Sequence, residues 1–176
     1  MIAYHIDRAG CLRQFSCLNG RPLLGRYPHD FADHFPLGSS RFGDQYLHWI
    51  FRGNPEGDSN TQIELDFEQV RQERYPHLHS RQSCLFAGRN LEELLQHWGS
   101  LIGPDTKVWK VVSQCDGTIH DANLLLRYPR SSGARLSPRD AGYKEICKYW
   151  EGVLGPDSRP ELLLPYPIFV ESLCTL

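Results

Sequence analysis

Strand-like apolar runs stand at both ends of this chain, over residues 2–7 and again over 161–164 and 168–170, while the clearest helical periodicities lie between them. Two further strand-like stretches interrupt the middle. One covers 81–87 and includes Cys84-Leu85-Phe86-Ala87; the other covers 107–113, is rich in valine and carries Trp109. Strands at the ends with helices clustered mainly in the middle point to an α+β fold, because a doubly wound α/β fold needs regular alternation. A length of 176 residues, 40% of them hydrophobic, suits a single domain over 1–176 with one sizeable core.

The helices announce themselves by spacing. Tyr46, Leu47, Ile50 and Phe51 recur at helical intervals after Ser40, and Gly53-Asn54-Pro55 supplies a stop. A second helix over 61–74 carries Ile63, Phe67 and Val70 on one face and ends where Tyr75 meets Pro76. Asn90 is a natural N-cap with Glu93 three residues on, opening a helix with Leu91, Leu94, Leu95 and Trp98 on one face and Gly99 as terminator. Ser137-Pro138-Arg139-Asp140 combines a cap, a first-turn proline and an acidic first turn, which predicts a helix to about Leu154 with Tyr143, Ile146, Trp150 and Val153 inward. Asp116-Gly117 reads as the turn of a hairpin, and Pro165 and Pro167 place at least part of the C-terminal run on a sheet edge. Residues 8–40 read as irregular, punctuated by Asn19-Gly20-Arg21-Pro22 and Tyr27-Pro28.

The charge balance, 19 basic against 21 acidic residues for a net of -2, gives no global field toward nucleic acid or an anionic membrane, so polyanion contacts must be local. The first seven residues lack the basic start and apolar core of a secretory signal, and nowhere do about 18 apolar residues run together, so a cytoplasmic protein with no membrane partner is expected. Six cysteines at 11, 17, 84, 115, 147 and 174 show no close pairing and read as reduced thiols. Neither His77 with His79 nor Cys11 with Cys17 fits a familiar zinc spacing, so no metal is expected.

Three short segments remain: Tyr4-His5 on the first strand, Ser80-Arg81-Gln82-Ser83-Cys84-Leu85-Phe86-Ala87 in the middle, and Pro160-Glu161-Leu162 near the end. Segments so far apart, each on or beside a strand-like run, are what a split sheet needs to grip one elongated ligand at several points. In this order they resemble the three-part signature of ADP-ribosyltransferases, specifically a little-characterised bacterial branch. The specific matches are confined to these stretches, though the order of elements agrees over most of the chain. The resemblance implies split antiparallel β-sheets forming an NAD cleft flanked by helices, with NAD as co-substrate. It implies that His5, beside Tyr4, hydrogen-bonds a ribose hydroxyl or the carboxamide end of NAD, using a ring with both a donor and an acceptor nitrogen. Ser80 and Ser83 support the cleft wall, Phe86 joins the cofactor contacts, and the Arg81 guanidinium meets the pyrophosphate in a two-pronged way. Glu161 is the implied catalytic residue, accepting a hydrogen bond from the nicotinamide ribose 2′-hydroxyl and stabilising the cation that develops as the glycosidic bond breaks.

Two departures narrow the expected acceptor. Arg159 stands where arginine-modifying transferases carry a second glutamate, which disfavours arginine acceptors, and Leu85-Phe86 replaces the tyrosine of the polymerase branch, which favours transfer of a single unit. The expected activity is mono-ADP-ribosyl transfer to a protein or nucleic acid, in a bacterial toxin or defence effector with an antitoxin or regulatory partner. Alternatives are an NAD glycohydrolase, a non-catalytic nucleotide-binding module, and an interaction protein engaging a partner through 8–40. Arg127, Arg130, Arg135 and Arg139 lie in a flexible stretch suited to presenting an acceptor or contacting nucleic-acid phosphates. Apart from the resemblance, His5 is a backbone-bonded strand histidine, Glu161 a solvated strand start, and Trp98, Trp109 and Trp150 are core or cleft wall.

Overall fold

Leu162, Leu163 and Leu164 are all buried, so the strand that holds them is covered on both faces and organises the rest. The computed structural model describes residues 1–23, 33, 35–51, 59–127 and 136–175. Its strands are β1 (Ile2–Asp7), β2 (Cys17–Leu18), β3 (Cys84–Ala87), β4 (Lys107–Ser113), β5 (Thr118–Asp121), β6 (Pro160–Pro165) and β7 (Ile168–Leu173). Its helices are α1 (Arg41–Phe51), α2 (Ser59–Arg74), α3 (Leu91–Trp98), α4 (Asn123–Arg127) and α5 (Ala141–Trp150). The architecture is α+β with two antiparallel sheets, ordered β1-β4-β7-β2 and β3-β6-β5.

Strand alternation sorts β6 between two cores. Leu162 and Leu164 pack with Ala3, Trp109, Val111, Ile168 and Val170 in the layer between the sheets. Leu163 points the other way, into Phe67, Val70, Tyr143, Ile146, Tyr149 and Trp150 of α2 and α5. Burying each of these leucines contributes roughly 2 kcal/mol. The same period of two puts Glu161, the one charged residue of the strand, on the helix-facing side with Leu163. Among the described residues one backbone bridge joins the two sheets, Tyr4 with Gly88, whose N–H groups each donate to the other's carbonyl at 2.9 and 2.8 Å. Beyond it β1 and β3 share no described ladder, and this fork is where a cavity opens.

Several expectations are corrected. Thr118–Asp121 is no hairpin partner of β4: β4 pairs with β1 and β7, whereas β5 crosses to the other sheet and pairs with β6. Gly117 makes the crossing possible, since a Cβ there would sit 2.6 Å from the Leu163 carbonyl oxygen. Neither C-terminal strand is an edge, because β6 lies between β3 and β5, and β7 between β4 and β2. The prolines are tolerated at the two ends of β6 and in the connection at Pro167, where no ladder donor is missed. The stretch 81–87 is not one strand; Arg81–Ser83 forms a 3-10 turn before β3 begins, because Ser80 caps it. The helix expected from Ser137 begins at Ala141, since Ser137 and Asp140 bond to each other in a closed turn. It ends at Trp150, where Gly152 takes φ +67°, and Val153 is left exposed. Tyr27-Pro28 and Gly53-Asn54-Pro55 lie outside the described residues.

The Arg81–Ser83 turn is held against α1 by backbone. Ser40 N–H donates to the Gln82 carbonyl at 2.7 Å, and a Cβ on Gly43 would overlap that carbonyl. Gly43→Ala is therefore expected to destabilise the protein by about 2–3 kcal/mol, as overpacking against rigid backbone does. Urea denaturation checks this, and a midpoint equal to wild type would contradict the packing described.

Candidate functional site

The site is built on a flank of α2. Beside the Ile63, Phe67, Val70 stripe, Glu64, Glu68 and Arg71 recur at i, i+4 and i+7 and are nearly as buried. Glu68 takes Arg71 in a forked pair at 2.7 to 3.1 Å and accepts the Ser80 hydroxyl at 2.7 Å. Ser80 in turn accepts the Gln82 N–H at 3.0 Å, so α2 anchors the turn that carries Arg81.

Arg81 links three elements. Its Nε and Nη2 donate to Glu64 at 3.0 and 3.1 Å, and its Nη1 donates to the Tyr149 hydroxyl at 2.6 Å and to Glu161 Oε1. Tyr149 donates to the same Glu161 oxygen at 2.7 Å. The guanidinium also lies 4.8 Å from the ring centre of Phe86 and 5.9 Å from that of Phe42, and those two rings meet edge to face. Glu64, Arg81, Tyr149 and Glu161 are each at most 6% exposed. Burial opposes the charge on Arg81, yet Glu161 and Glu64 hold it protonated well above its ordinary range. Burial pushes Glu64 up, with Arg81 working against the shift. Burial also pushes the Tyr149 hydroxyl well up, so it remains a donor at neutral pH.

His5 lies at the fork. Its Nδ1 is 2.7 Å from the Phe86 carbonyl, which can only accept, so Nδ1 carries the proton and the neutral ring keeps Nε2 as an acceptor. Burial lowers its pKa, the Phe86 bond opposing, which favours that neutral form. His120 on β5 is buried with Nδ1 at 2.6 Å from the Tyr149 carbonyl and Nε2 at 2.8 Å from the Thr118 hydroxyl. Burial lowers its pKa as well.

A cavity of about 810 Å³ opens over this cluster, lined by His5, Phe86, Phe42, Glu64, Arg81 and Glu161 among others, with Arg8, Arg21, Arg41 and Arg159 also on its wall. Arg21 pairs with Asp44 at 2.8 Å, and the Arg159 guanidinium lies 3.7 Å over the Trp98 ring. Cys84 is on the wall too, but burial pushes its thiol up to about 12, which removes it as a nucleophile near neutrality.

The structure thus places His5, Arg81, Phe86 and Glu161 on the lining of one cavity. Arg81 faces protein partners on three sides instead of standing open to a phosphate. Tyr4, Ser80 and Ser83 are not among the lining: Tyr4 forms the bridge between sheets, and Ser80 and Ser83 are buried in the capped turn. Glu161 is no solvated strand start, at 4% exposure. Trp98 is cleft wall and Trp109 and Trp150 are core. The Arg127 side chain, Arg130 and Arg135 lie outside the described residues, and Arg139 is exposed. Sequence reasoning missed Glu64, Tyr149 and His120. For Glu64 the available signal was a charged row at helical spacing beside an apolar one, and for Tyr149 its place next to Ile146 and Trp150 on the buried arc of α5.

Among known proteins, the family model described as a protein of unknown function (DUF2441) matches residues 48–172. That stretch contains Glu64, Arg81, Tyr149 and Glu161, and leaves out His5. No curated protein matches the chain. All six cysteines are free thiols, and among the described residues no helix is long and apolar enough to cross a membrane.

The lowered His120 pKa has a consequence for stability. Below the ordinary value of 6.5 the unfolded chain takes up a proton that the buried ring resists, so this contribution is present at higher pH and is lost as pH falls. Glu64, shifted upward, acts in the opposite sense and does so equally in a variant that keeps it. In denaturant titrations between pH 7 and 5.5, wild type is expected to lose stability more steeply than His120→Asn, by up to about 1.4 kcal/mol per pH unit. Parallel profiles would contradict a neutral buried His120.

Proposed function

We propose that this chain, which belongs to the DUF2441 family, is an NAD-dependent mono-ADP-ribosyltransferase acting on a protein or nucleic-acid acceptor. The observation that carries the proposal is that His5, Phe86 and Glu161 line one cavity at the fork of two antiparallel sheets. At about 810 Å³ the cavity is within the range of pockets that enclose cofactor-sized ligands.

Each group has chemistry to contribute. His5 Nε2 accepts from a ribose hydroxyl, and Phe86 and Phe42 offer apolar ring surface to a flat base. With Arg81 turned inward, the pyrophosphate falls to the wall arginines Arg8 and Arg41. Both protein donors to Glu161 arrive at Oε1, and no described residue donates to Oε2, which is left for the nicotinamide ribose 2′-hydroxyl. The bond between nicotinamide nitrogen and C1′ breaks with its electron pair on nicotinamide, which departs neutral. Positive charge spreads over C1′ and the ring oxygen, and the buried carboxylate stabilises it more strongly than water could. An acceptor lone pair then bonds to C1′ and its proton passes to solvent. Because Glu64 balances Arg81, the Glu64, Arg81 and Glu161 group keeps one net negative charge when both carboxylates are ionised.

Incubation with NAD and candidate acceptors is expected to release nicotinamide, and Glu161→Gln to reduce the rate by about 10²–10³-fold while NAD still binds by calorimetry. Label on the adenylate half appears on a macromolecule in transfer and as free ADP-ribose in hydrolysis. Absence of nicotinamide release with every acceptor, or an undiminished rate in Glu161→Gln, would overturn the proposal.

A further inference from the structure

Tyr149 sits behind the cavity wall, fully buried and outside the cavity lining. A guanidinium only donates and a carboxylate only accepts, so the hydroxyl must take the Arg81 N–H at 2.6 Å and give its own proton to Glu161 at 2.7 Å. The ring is fixed on several sides: edge-on to Phe67 with centres 5.1 Å apart, stacked on His120 at 4.5 Å, and edge-on to Trp150. His120 is the cross-strand partner of Glu161 in the β5–β6 ladder, and it also bonds the Tyr149 backbone carbonyl. A closed loop results, from Glu161 through the ladder to His120, through the ring stack to Tyr149, and through the hydroxyl back to Glu161.

As an acceptor the hydroxyl satisfies a buried Arg81 donor, which is a contribution to stability. As a donor it also contacts the Glu161 carboxylate, which Arg81 alone already pairs in charge. What the hydroxyl adds is direction. Resting on the transferase reading above, we propose that Tyr149 and Glu64 are positioning residues for Glu161. Tyr149 fixes the carboxylate through Oε1 and so commits Oε2 to the ligand. Glu64 occupies Nε and Nη2 of Arg81, so that the guanidinium reaches Glu161 through Nη1 alone and cannot chelate both its oxygens.

Tyr149→Phe keeps the ring contacts and removes only the hydroxyl. Its kcat for nicotinamide release is expected to fall about 10–100-fold, as for loss of one oriented donor, with KM for NAD within about threefold of wild type. Glu64→Gln should lower kcat about tenfold at constant KM, and it carries the test if Tyr149→Phe does not fold. A purely structural role would lower the melting temperature without a split between kcat and KM. An unchanged kcat in a folded variant overturns the proposal. If wild type itself releases no nicotinamide, the transferase reading fails, and crystal structures of wild type and variant judge the positioning claim alone. A single Glu161 rotamer that turns or doubles in the variant supports it, and an unmoved carboxylate overturns it.

Discussion

A guanidinium sealed between two carboxylates is the constraint around which this molecule is arranged. Arg81 joins α2 through Glu64, β6 through Glu161 and α5 through the hydroxyl of Tyr149, all nearly removed from water. Such a group is costly to desolvate, and it persists only if each donor meets an acceptor. Every element that carries a partner must therefore be in place at once. The capped turn at Ser80, its anchor on Glu68 and the close approach of Gly43 to Gln82 are the local devices that place the guanidinium.

The sheets supply the rest. β6 is covered by the other sheet on one face and by helices on the other, so its alternation alone decides that Glu161 looks toward Arg81 while Leu162 and Leu164 look away. β1 and β3 join at one bridge and then part, which puts His5 and Phe86 on the same opening. A carboxylate held by two donors, an imidazole whose burial favours the neutral form and aromatic surface line the same cavity there. The proposed chemistry needs that preorganisation, because a charge already oriented incurs no reorganisation cost as the glycosidic bond breaks.

Much of the fold could be read from the chain because its signals are local. The Asn90 cap on Glu93, the end of α2 before Pro76 and the apolar run of β6 each depend on neighbours within a few residues. The failures concern choices made at a distance. Asp116-Gly117 is as good a hairpin turn in sequence as any, but Gly117 is needed for contact with β6, and only tertiary packing reveals that. Prolines that suggest an edge are harmless at strand ends. For the site, the resemblance to ADP-ribosyltransferases singled out His5, Arg81, Phe86 and Glu161, which line the cavity, along with Tyr4, Ser80 and Ser83, which do not. It gave Arg81 an open role because an arginine's partners are invisible in sequence when they sit 17, 68 and 80 residues away. Tyr149 was hidden for a related reason: a tyrosine on an apolar helix face looks like core, and only its hydroxyl distinguishes it.

The central claim is that His5 and Glu161 converge on one dinucleotide. A crystal structure of the protein with a non-cleavable NAD analogue tests it most directly. A nicotinamide-ribose hydroxyl is expected within hydrogen-bond distance of Glu161 Oε2 and another ribose hydroxyl or the carboxamide at His5 Nε2, with Arg81 still on Glu64. A dinucleotide bound elsewhere, or an empty cleft at saturating analogue, would contradict it.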